Sequence, residues 1–316
     1  MASFETITAL AKAKKPFLFV ISFDKKEIFA QELDKLHNIF YKVGTLQNFE
    51  DITPNTSYTL VKSPIEFSIY QKAIDRVKEE IQKGNTYLLN LTFATPLQTP
   101  LSLEEIFYRA KAPFKLYFDN RFICFSPERF IQIQNNTLST YPMKGTIDAN
   151  IPCAQEKILS NPKEMAEHTM MVDLMRNDLS RVCKHVRVER FRYIDTIQAG
   201  SKELLQVSSE IVGDLEVHWH ERLGEILDRL LPAGSISGTP KKKTLELINA
   251  IEDYDRGFYS GIFGIFDGTN LDSSVMIRFV EQQNDTLLYK SGGGITLDSN
   301  ALSEYQEMMD KIYFPF

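Results

Sequence analysis

The sequence is poor in cysteine and contains no long apolar segment. Its three cysteines, Cys124, Cys153 and Cys183, stand far apart and form no C-x-x-C pair. The sequence therefore indicates neither a disulfide framework nor a thiolate zinc site. A run of about 18 apolar residues, the minimum for a membrane helix, is missing. The opening MASFETITALAKAKK lacks the apolar core of a signal peptide. These absences predict a protein of a reducing, cytoplasmic compartment.

The chain also lacks an excess of positive charge. Its formal net charge is −6 at pH 7. This argues against non-specific binding of nucleic acid, which depends on lysine and arginine side chains at the phosphates. A small anionic ligand needs only a few local cations and is not excluded. Hydrophobic residues make up 43% and charged residues 25% of the 316 residues, which is typical of a globular protein able to bury a core.

Internal repeats, low-complexity linkers and shifts in composition are missing, so a single domain over 1–316 is predicted. Strand-like segments come in groups: 114–141 predicts successive strands with a turn at Asn135–Asn136, and 258–294 predicts a meander. Helices follow in blocks, as at 67–81, where apolar residues recur every three or four positions. Without a regular alternation of strand and helix, the pattern favours an α+β fold with largely antiparallel sheets.

Three helix starts are marked by capping chemistry. Asn161 precedes Pro162 and is predicted to cap a helix that begins at that proline. Pro240 opens a second predicted helix. Asp298 or Ser299 is predicted to cap the last helix.

Two pairs of glutamates occur at helical spacing. Glu164 and Glu167 fall in the first turns of one predicted helix, and Glu304 and Glu307 fall in the last one. A separation of three residues places each pair on one helix face. Carboxylates from two elements, with room left for water and ligand oxygens, suit Mg²⁺, whereas the alternative is a solvated acidic face. Lys311 continues the stripe of Glu304 and Glu307, and it equally suits a surface ion pair.

Two loops suit an anionic ligand. PAGSISGTPK, at 232–241, combines small residues with a predicted helix N-terminus, where backbone N–H groups and the helix dipole attract negative charge. SGGG, at 291–294, allows the backbone to approach a ligand closely. Plain turns are the alternative for both loops. Arg278 stands among apolar residues in a strand predicted over 273–282. It either points inward to a carboxylate, which a ligand could supply, or outward to water.

A lysine and a glutamate are candidates for acid–base chemistry. Lys144, in YPMKGT, follows a predicted strand, and Glu128, in SPERF, lies 16 positions earlier. A lysine amine becomes a nucleophile only when its pKa is depressed. Adjacent strands could bring this amine and this carboxyl together, although a lysine before a glycine is also typical of a solvated turn.

From about Tyr87 to Phe314 the sequence resembles the chorismate-utilising enzymes, which include anthranilate, aminodeoxychorismate, isochorismate and salicylate synthases. The resemblance rests on eight segments in the family's order, which together are far more specific than any one of them. The segments are SPERF, YPMKGT, NPKEMAEHTMMVDLMRNDLSRV, PAGSISGTPKKKTLELI, RGFYSGIFGIF, MIR, SGGGI and SEYQEMMDKI. The resemblance implies a large sandwich of two mainly antiparallel sheets with helices on the outside.

The resemblance also implies a role for each candidate residue. Glu167 and Glu307 match the carboxylates that bind Mg²⁺, with Glu164 and Glu304 as supporting ligands through water. Ser235 matches a hydroxyl of the site. Gln206 stands where many relatives have histidine, which implies either a non-aromatising enzyme or a different hydrogen bond to the substrate. The residues implied to contact the carboxylates of chorismate are Tyr259, Arg278, Gly292, Gly293, Gly294 and Lys311.

Lys144 separates the members of the family. Anthranilate synthases typically have alanine at this position. Aminodeoxychorismate synthases have lysine, which is implied to attack C2 of chorismate while Glu128 protonates the departing C4 hydroxyl. Isochorismate and salicylate synthases also have lysine, implied to act as a base on water. SPERF, PMKGT and SISGTPK resemble the aminodeoxychorismate group, which leads to p-aminobenzoate and folate. An isochorismate or salicylate synthase and a non-catalytic chorismate-binding subunit are the alternatives.

The resemblance further implies partners. No Cys/His/Glu glutaminase unit is visible, so ammonia is expected to come from glutamine through a separate amidotransferase subunit. No lyase segment follows Phe316, so a second enzyme is expected to release p-aminobenzoate. Only about 86 residues precede the matched core of 87–316, fewer than in many relatives, and 1–86 is interpreted as a shortened N-terminal part of the same domain.

Overall fold

The computed structural model describes residues 2–50, 58–199 and 202–316. The helices in these residues are α1 (Phe4–Lys12), α2 (Phe67–Gln82), α3 (Leu103–Arg109), α4 (Ala154–Ser160), α5 (Pro162–Ser180), α6 (Leu223–Leu230), α7 (Lys241–Ile251) and α8 (Ala301–Asp310). The strands are β1 (Phe17–Ile21), β2 (Ile28–Glu32), β3 (Ile39–Val43), β4 (Leu46–Gln47), β5 (Val61–Lys62), β6 (Leu88–Gln98), β7 (Phe114–Phe118), β8 (Phe122–Ser126), β9 (Arg129–Gln134), β10 (Thr137–Thr140), β11 (Met143–Asp148), β12 (Lys184–Ala199), β13 (Lys202–Asp214), β14 (Gly238–Thr239), β15 (Ile262–Phe266), β16 (Leu271–Val275), β17 (Phe279–Gln283) and β18 (Thr286–Ile295). None of the helices described is both long and apolar enough to cross a membrane.

The strands form two nine-stranded sheets. The first sheet runs in the order β11, β13, β10, β9, β16, β15, β1, β2, and β12 also pairs with β13. The second runs in the order β14, β6, β18, β17, β8, β7, β3, β4, and β5 also pairs with β6. The strand pairs are antiparallel, from β1 with β15 in the first sheet to β6 with β18 in the second. The predicted α+β fold with two antiparallel sheets is therefore confirmed.

The strand β1, in the first sheet, is buried on both of its faces. Successive side chains of a strand point to opposite faces. Leu18 and Val20 accordingly pack with β3, β7 and β8 of the second sheet. Phe17, Phe19 and Ile21 pack on the other face, with apolar residues of α1, α5 and α6. The outer face of the second sheet is covered by α3 and the C-terminal segment. The continuous apolar run of β1 is thus explained by burial on both sides.

The prediction of one continuous strand over 273–282 is wrong, because the chain passes from one sheet to the other within this segment. β16 ends at Val275 in the first sheet, and β17 begins at Phe279 in the second. Residues 276–278 cross between the sheets, and Arg278 adopts a φ of 52°. The meander predicted over 258–294 is therefore divided between the two sheets. An apolar pattern cannot reveal such a crossing when the segments on both sides of it are buried.

The helix starts are largely as predicted. Glu164 N donates to Asn161 Oδ1 at 3.2 Å, so Asn161 caps α5. The helix predicted after Pro240 is α7. The predicted cap of the last helix is wrong by one or two positions. Asn300 caps α8 by accepting a hydrogen bond from Ser303 N at 3.1 Å. Ser299 is instead occupied in the preceding turn, where its Oγ accepts from Thr296 N at 3.2 Å.

Candidate active site

One cavity of about 200 Å³ collects residues from both sheets and from the loops between them. It lies where β11, β18, the 276–278 crossing and the turn before β14 meet. The predicted site residues that line it are Glu128, Lys144, Ser235, Tyr259, Arg278, Gly292, Gly293, Gly294 and Lys311. These residues come from segments spread over more than half of the chain, and the fold brings them to one place.

The cavity carries more positive than negative side chains. Its cationic lining residues are Lys144, Arg278, Lys290 and Lys311, and the acidic residue among those lining it is Glu128. Burial raises the pKa of Glu128, which favours its neutral, protonated form. Burial also raises the pKa of the Tyr259 phenol to about 12, so this group stays protonated and can donate a hydrogen bond. Lys144, Lys290 and Lys311 are paired with glutamates outside the cavity, and the guanidinium of Arg278 could pair with a carboxylate of a small ligand.

The sheet crossing and the C-terminal helix hold Arg278 and Lys311 together. Arg278 Nη1 donates to the carbonyl of Lys311 at 2.7 Å. Lys311 Nζ donates to the carbonyl of Gly292 at 2.9 Å and lies 2.7 Å from Glu307 Oε1. A Cβ at Gly293 would stand 3.5 Å from Lys311 Nζ and 3.7 Å from Glu304 Oε2. The glycines therefore keep the backbone of β18 open beside the charged groups of α8.

Glu128 is held at its backbone and at its carboxyl. Its carbonyl accepts hydrogen bonds from Ser274 Oγ at 2.7 Å and from Val275 N at 3.2 Å. Its Oε1 accepts a hydrogen bond from Ser235 Oγ. The sequence places Ser235 in the site through the resemblance alone, and this partnership with Glu128 could not be seen, because the two residues are 107 positions apart.

Lys144 lies on β11 with its Nζ 2.8 Å from Glu167 Oε2. Burial by itself would lower the pKa of Lys144, but the carboxylates of Glu167, Glu164 and Glu307 outweigh it, and the pKa is raised. The depressed pKa that a nucleophilic amine requires is thus not present while these carboxylates keep their full charge. Gly145, next to the lysine, has a φ of 84°, a conformation that favours glycine.

Glu164 and Glu167 of α5 and Glu307 of α8 lie close enough to Lys144 to raise its pKa. Glu304 lies beside Gly293, and none of the four glutamates lines the cavity itself. Glu164 Oε2 is buried and has no hydrogen-bond partner in the described part of the chain. A buried carboxylate oxygen without a partner is costly unless a cation or water completes it. Glu167 and Glu307 are turned towards Lys144 and Lys311. The residues fit Mg²⁺ by chemistry, since Mg²⁺ prefers carboxylate oxygens and retains several waters.

Gln206 does not line this cavity, and its contact with the substrate stays a prediction. It lies on β13, opposite Thr146 of β11 and Asp195 of β12. Its Oε1 is buried and, within 2–50, 58–199 and 202–316, has no hydrogen-bond partner.

A buried ion pair beneath the cavity was missed by the sequence analysis. Arg256 Nη2 lies 2.6 Å from Glu252 Oε1, and both side chains are 2% exposed. Arg256 also donates to the carbonyls of Asn90 at 2.6 Å and Ile236 at 2.9 Å, two residues that line the cavity. Arg256 begins the RGFYSGIFGIF segment, but no local pattern shows that an arginine is buried. Its network fixes the floor of the site.

The sequence is similar to known proteins over most of its length. A family model described as chorismate binding enzyme matches residues 5–316. An uncharacterized PabA-like protein of Pasteurella multocida is 48% identical over 306 residues, which is 96% of this chain and 94% of that protein. Aminodeoxychorismate synthase component 1 of Klebsiella aerogenes is 35% identical over 77% of this chain and 56% of that protein. Anthranilate synthase component 1 of Archaeoglobus fulgidus is 32% identical over 77% of this chain and 60% of that protein.

A solved structure has the same fold. It is a putative 2,3-dihydroxybenzoate-specific isochorismate synthase of Bacillus anthracis, with a TM-score of 0.73 over 98% of this chain and 88% of that chain, at 20% sequence identity. The family match begins at residue 5 and so includes most of the segment before the core that the sequence analysis identified.

Proposed function

Because this chain belongs to the chorismate-binding enzyme family, we propose that it makes 4-amino-4-deoxychorismate from chorismate and ammonia. The observation that carries this proposal is the placement of Lys144 and Glu128 in one cationic cavity. An amine and a buried carboxyl at one cavity are the two groups that displacement of the C4 hydroxyl requires. The relative of Klebsiella aerogenes named for this reaction supports the same assignment.

In this proposal the substrate is bound by its carboxylates. The side chains of Arg278 and Lys311 would pair with these groups. The Arg278 guanidinium also donates a hydrogen bond to the Lys311 carbonyl, which holds the two residues together. The Tyr259 phenol would donate a further hydrogen bond, and the backbone of Gly292–Gly294 would lie against the ligand. Holding both carboxylates would fix the ring relative to Lys144 and Glu128, so that the reacting atoms meet in one orientation.

The reaction would proceed in two displacements. The neutral amine of Lys144 forms a bond to C2, both conjugated double bonds of the ring shift towards C4, and the C4–O bond breaks as Glu128 gives its proton to the departing hydroxyl, which leaves as water. Ammonia then forms a bond to C4 and loses a proton to Glu128, both double bonds shift back, and the bond between C2 and Lys144 breaks to release the neutral amine. Glu128 acts first as acid and then as base, a role that suits a buried carboxyl with a raised pKa.

Mg²⁺ is the cofactor we propose, with Glu167 and Glu307 as its principal ligands and Glu164 and Glu304 as supporting ones. When bound, the ion would offset the charge of these carboxylates and anchor a carboxylate of the substrate. Ammonia would come from glutamine through a partner amidotransferase.

Replacing Glu307 with glutamine should raise the Mg²⁺ concentration needed for half-maximal turnover. A neutral amide is a weaker ligand for this hard cation than a carboxylate. The measurement is a magnesium titration of chorismate turnover at saturating ammonium. Glu246→Gln, which alters an exposed glutamate paired with Lys243, is the matched control. An unchanged titration for Glu307→Gln would remove this residue from the proposed metal site.

Replacing Ser235 with alanine should move the pH dependence of kcat to higher pH. Burial raises the pKa of Glu128, and the hydrogen bond from Ser235 offsets part of that rise by stabilising the ionised form. Without this bond the pKa rises further, so Glu128 stays protonated, and able to act as the acid, up to a higher pH. The measurement is the alkaline limb of the kcat profile, with Ser235→Thr expected to restore the original limb. A lower kcat with an unmoved limb would contradict this role.

The test of the function is product analysis after incubation of the protein with chorismate and Mg²⁺, with and without an ammonium salt. Ammonia-dependent 4-amino-4-deoxychorismate, which an added lyase converts to p-aminobenzoate, is the expected product. Isochorismate or salicylate formed without ammonia would assign the chain to those synthases instead. Binding of chorismate without turnover in the presence of ammonium would point to a non-catalytic subunit.

A further inference from the structure

We propose that the turn between β13 and α6 is a binding site for a transition-metal ion, formed by His218, His220 and Glu221. One ligand atom from each of these residues lies within 4.8 Å of the others. In the part of the chain that the structure describes, these three residues are the one group of three or more histidine, cysteine, aspartate or glutamate side chains at this spacing. The inference is independent of the proposed reaction, because the turn does not line the chorismate cavity.

The turn is a rigid platform for the three ligands. Residues 219–222 form a short 3₁₀ helix, in which Glu221 N donates to the carbonyl of His218 at 2.9 Å. Trp219, between the two histidines, is 5% exposed and packs edge-on against Phe266 at 5.9 Å between ring centroids. The buried tryptophan anchors the turn to the core. The rings of His218 and His220 lie 6.1 Å apart on the outside.

Cations near the turn are paired with carboxylates. Arg222 follows the cluster, and its guanidinium makes two hydrogen bonds to Glu225, at 2.8 and 3.0 Å. Lys184 Nζ lies 3.3 Å from Glu216 Oε1. Glu225 also lies 2.7 Å from Arg229, so the two carboxylates offset part of the positive charge that would repel a metal ion from the turn.

The ligand set selects the class of metal. Two imidazoles and one carboxylate suit Zn²⁺, Ni²⁺ or Cu²⁺, whereas Mg²⁺ prefers a site made of oxygens. Zinc–ligand bonds of about 2.0–2.1 Å at tetrahedral angles bring ligand atoms to roughly 3.3 Å from one another. Side-chain rotation on the surface can close this difference, since His218 and Glu221 are exposed and His220 is half-buried. A fourth position remains for water or for a ligand from a partner.

The single tryptophan of the chain makes the site directly observable. The rings of Trp219 and His220 pack edge to face, with their centroids 6.1 Å apart. A paramagnetic ion bound to the histidines would therefore quench the fluorescence of Trp219. We expect Ni²⁺ to quench the emission of the full-length protein with 1:1 stoichiometry at micromolar concentration, and Zn²⁺ to restore it by competition. Excess Mg²⁺ should have no effect.

Variants separate this site from binding elsewhere. His218→Ala and His220→Ala should each weaken Ni²⁺ binding roughly tenfold or more, and Glu221→Gln should weaken it less. His37→Ala, which removes an exposed histidine outside the cluster, should leave the titration unchanged. Circular dichroism would confirm that each variant is folded. Quenching that is absent in the unaltered protein, or equal in His218→Ala, His220→Ala and His37→Ala, would overturn the proposal. Chorismate turnover should be unchanged in each of these variants, whichever result the Ni²⁺ titration gives.

Discussion

Replacing Lys144 with alanine is expected to reduce the formation of 4-amino-4-deoxychorismate by roughly three orders of magnitude or more, the scale of loss when an enzyme loses its nucleophile. The amine is the group proposed to bond to C2, and alanine removes it. The fold should be retained, since the Lys144 side chain is 32% exposed.

Two measurements test this result. Product formation would be followed by liquid chromatography, and intact-protein mass spectrometry would be used to detect a covalent adduct after incubation with chorismate without ammonia. Lys144→Arg keeps a positive charge but not the nucleophilic amine, and it should be as inactive as Lys144→Ala. Lys35→Ala, which removes an exposed lysine paired with Glu32, is the control and should keep full activity. Activity in Lys144→Arg would assign the lysine to charge stabilisation and not to bond formation.

Replacing Arg256 with methionine is expected to destabilise the protein by about 3–5 kcal/mol, because it leaves Glu252 buried without its charged partner. The hydrogen bonds to the carbonyls of Asn90 and Ile236 are lost as well. For a chain of this size the midpoint of thermal unfolding should fall by roughly 10 °C. Chorismate turnover should also fall, since both carbonyls belong to residues that line the cavity.

The comparison that makes this prediction specific is a double variant. Removing both charges with Arg256→Met and Glu252→Leu leaves no unpaired buried charge, so part of the lost stability should return. Arg187→Met breaks an exposed pair with Asp214 and should change the unfolding midpoint little. The double variant would contradict this explanation if its loss of unfolding free energy equalled the sum of the losses in Arg256→Met and Glu252→Leu. The pairing of Arg256 with Glu252 would then not be the source of the stability.

The overall fold could be predicted largely from the sequence, and the sheet crossing could not. Helix α2 follows from the spacing of its apolar residues, and the start of α5 follows from Asn161 and Pro162. Both signals act between residues a few positions apart. At 276–278 the chain leaves one sheet for the other, and the flanking strands are apolar in either case. Where a strand pairs depends on distant segments, and its own composition does not record them.

The candidate site could likewise be predicted only in part from the sequence. Nine of the predicted site residues, all of them from the motif segments, line one cavity. The lining residues Asn90 and Lys290 lie outside those segments and were not predicted, and Gln206 and the four glutamates do not line the cavity. The bond from Ser235 to Glu128 and the network of Arg256 were not predicted, because their partners are distant in the chain or buried in a way that no spacing shows.

By itself the sequence determined the cap of α5, the glutamate pairs at i and i+3, and the order of the motifs, because each depends on neighbouring residues and on short-range geometry. The tertiary structure alone decided the ionisation of the key groups. The raised pKa of Lys144 comes from carboxylates on two separate helices acting against burial, and that of Glu128 comes from enclosure in the cavity wall. A pKa reflects the summed field and solvation of everything around a group, and these exist only once the chain has folded.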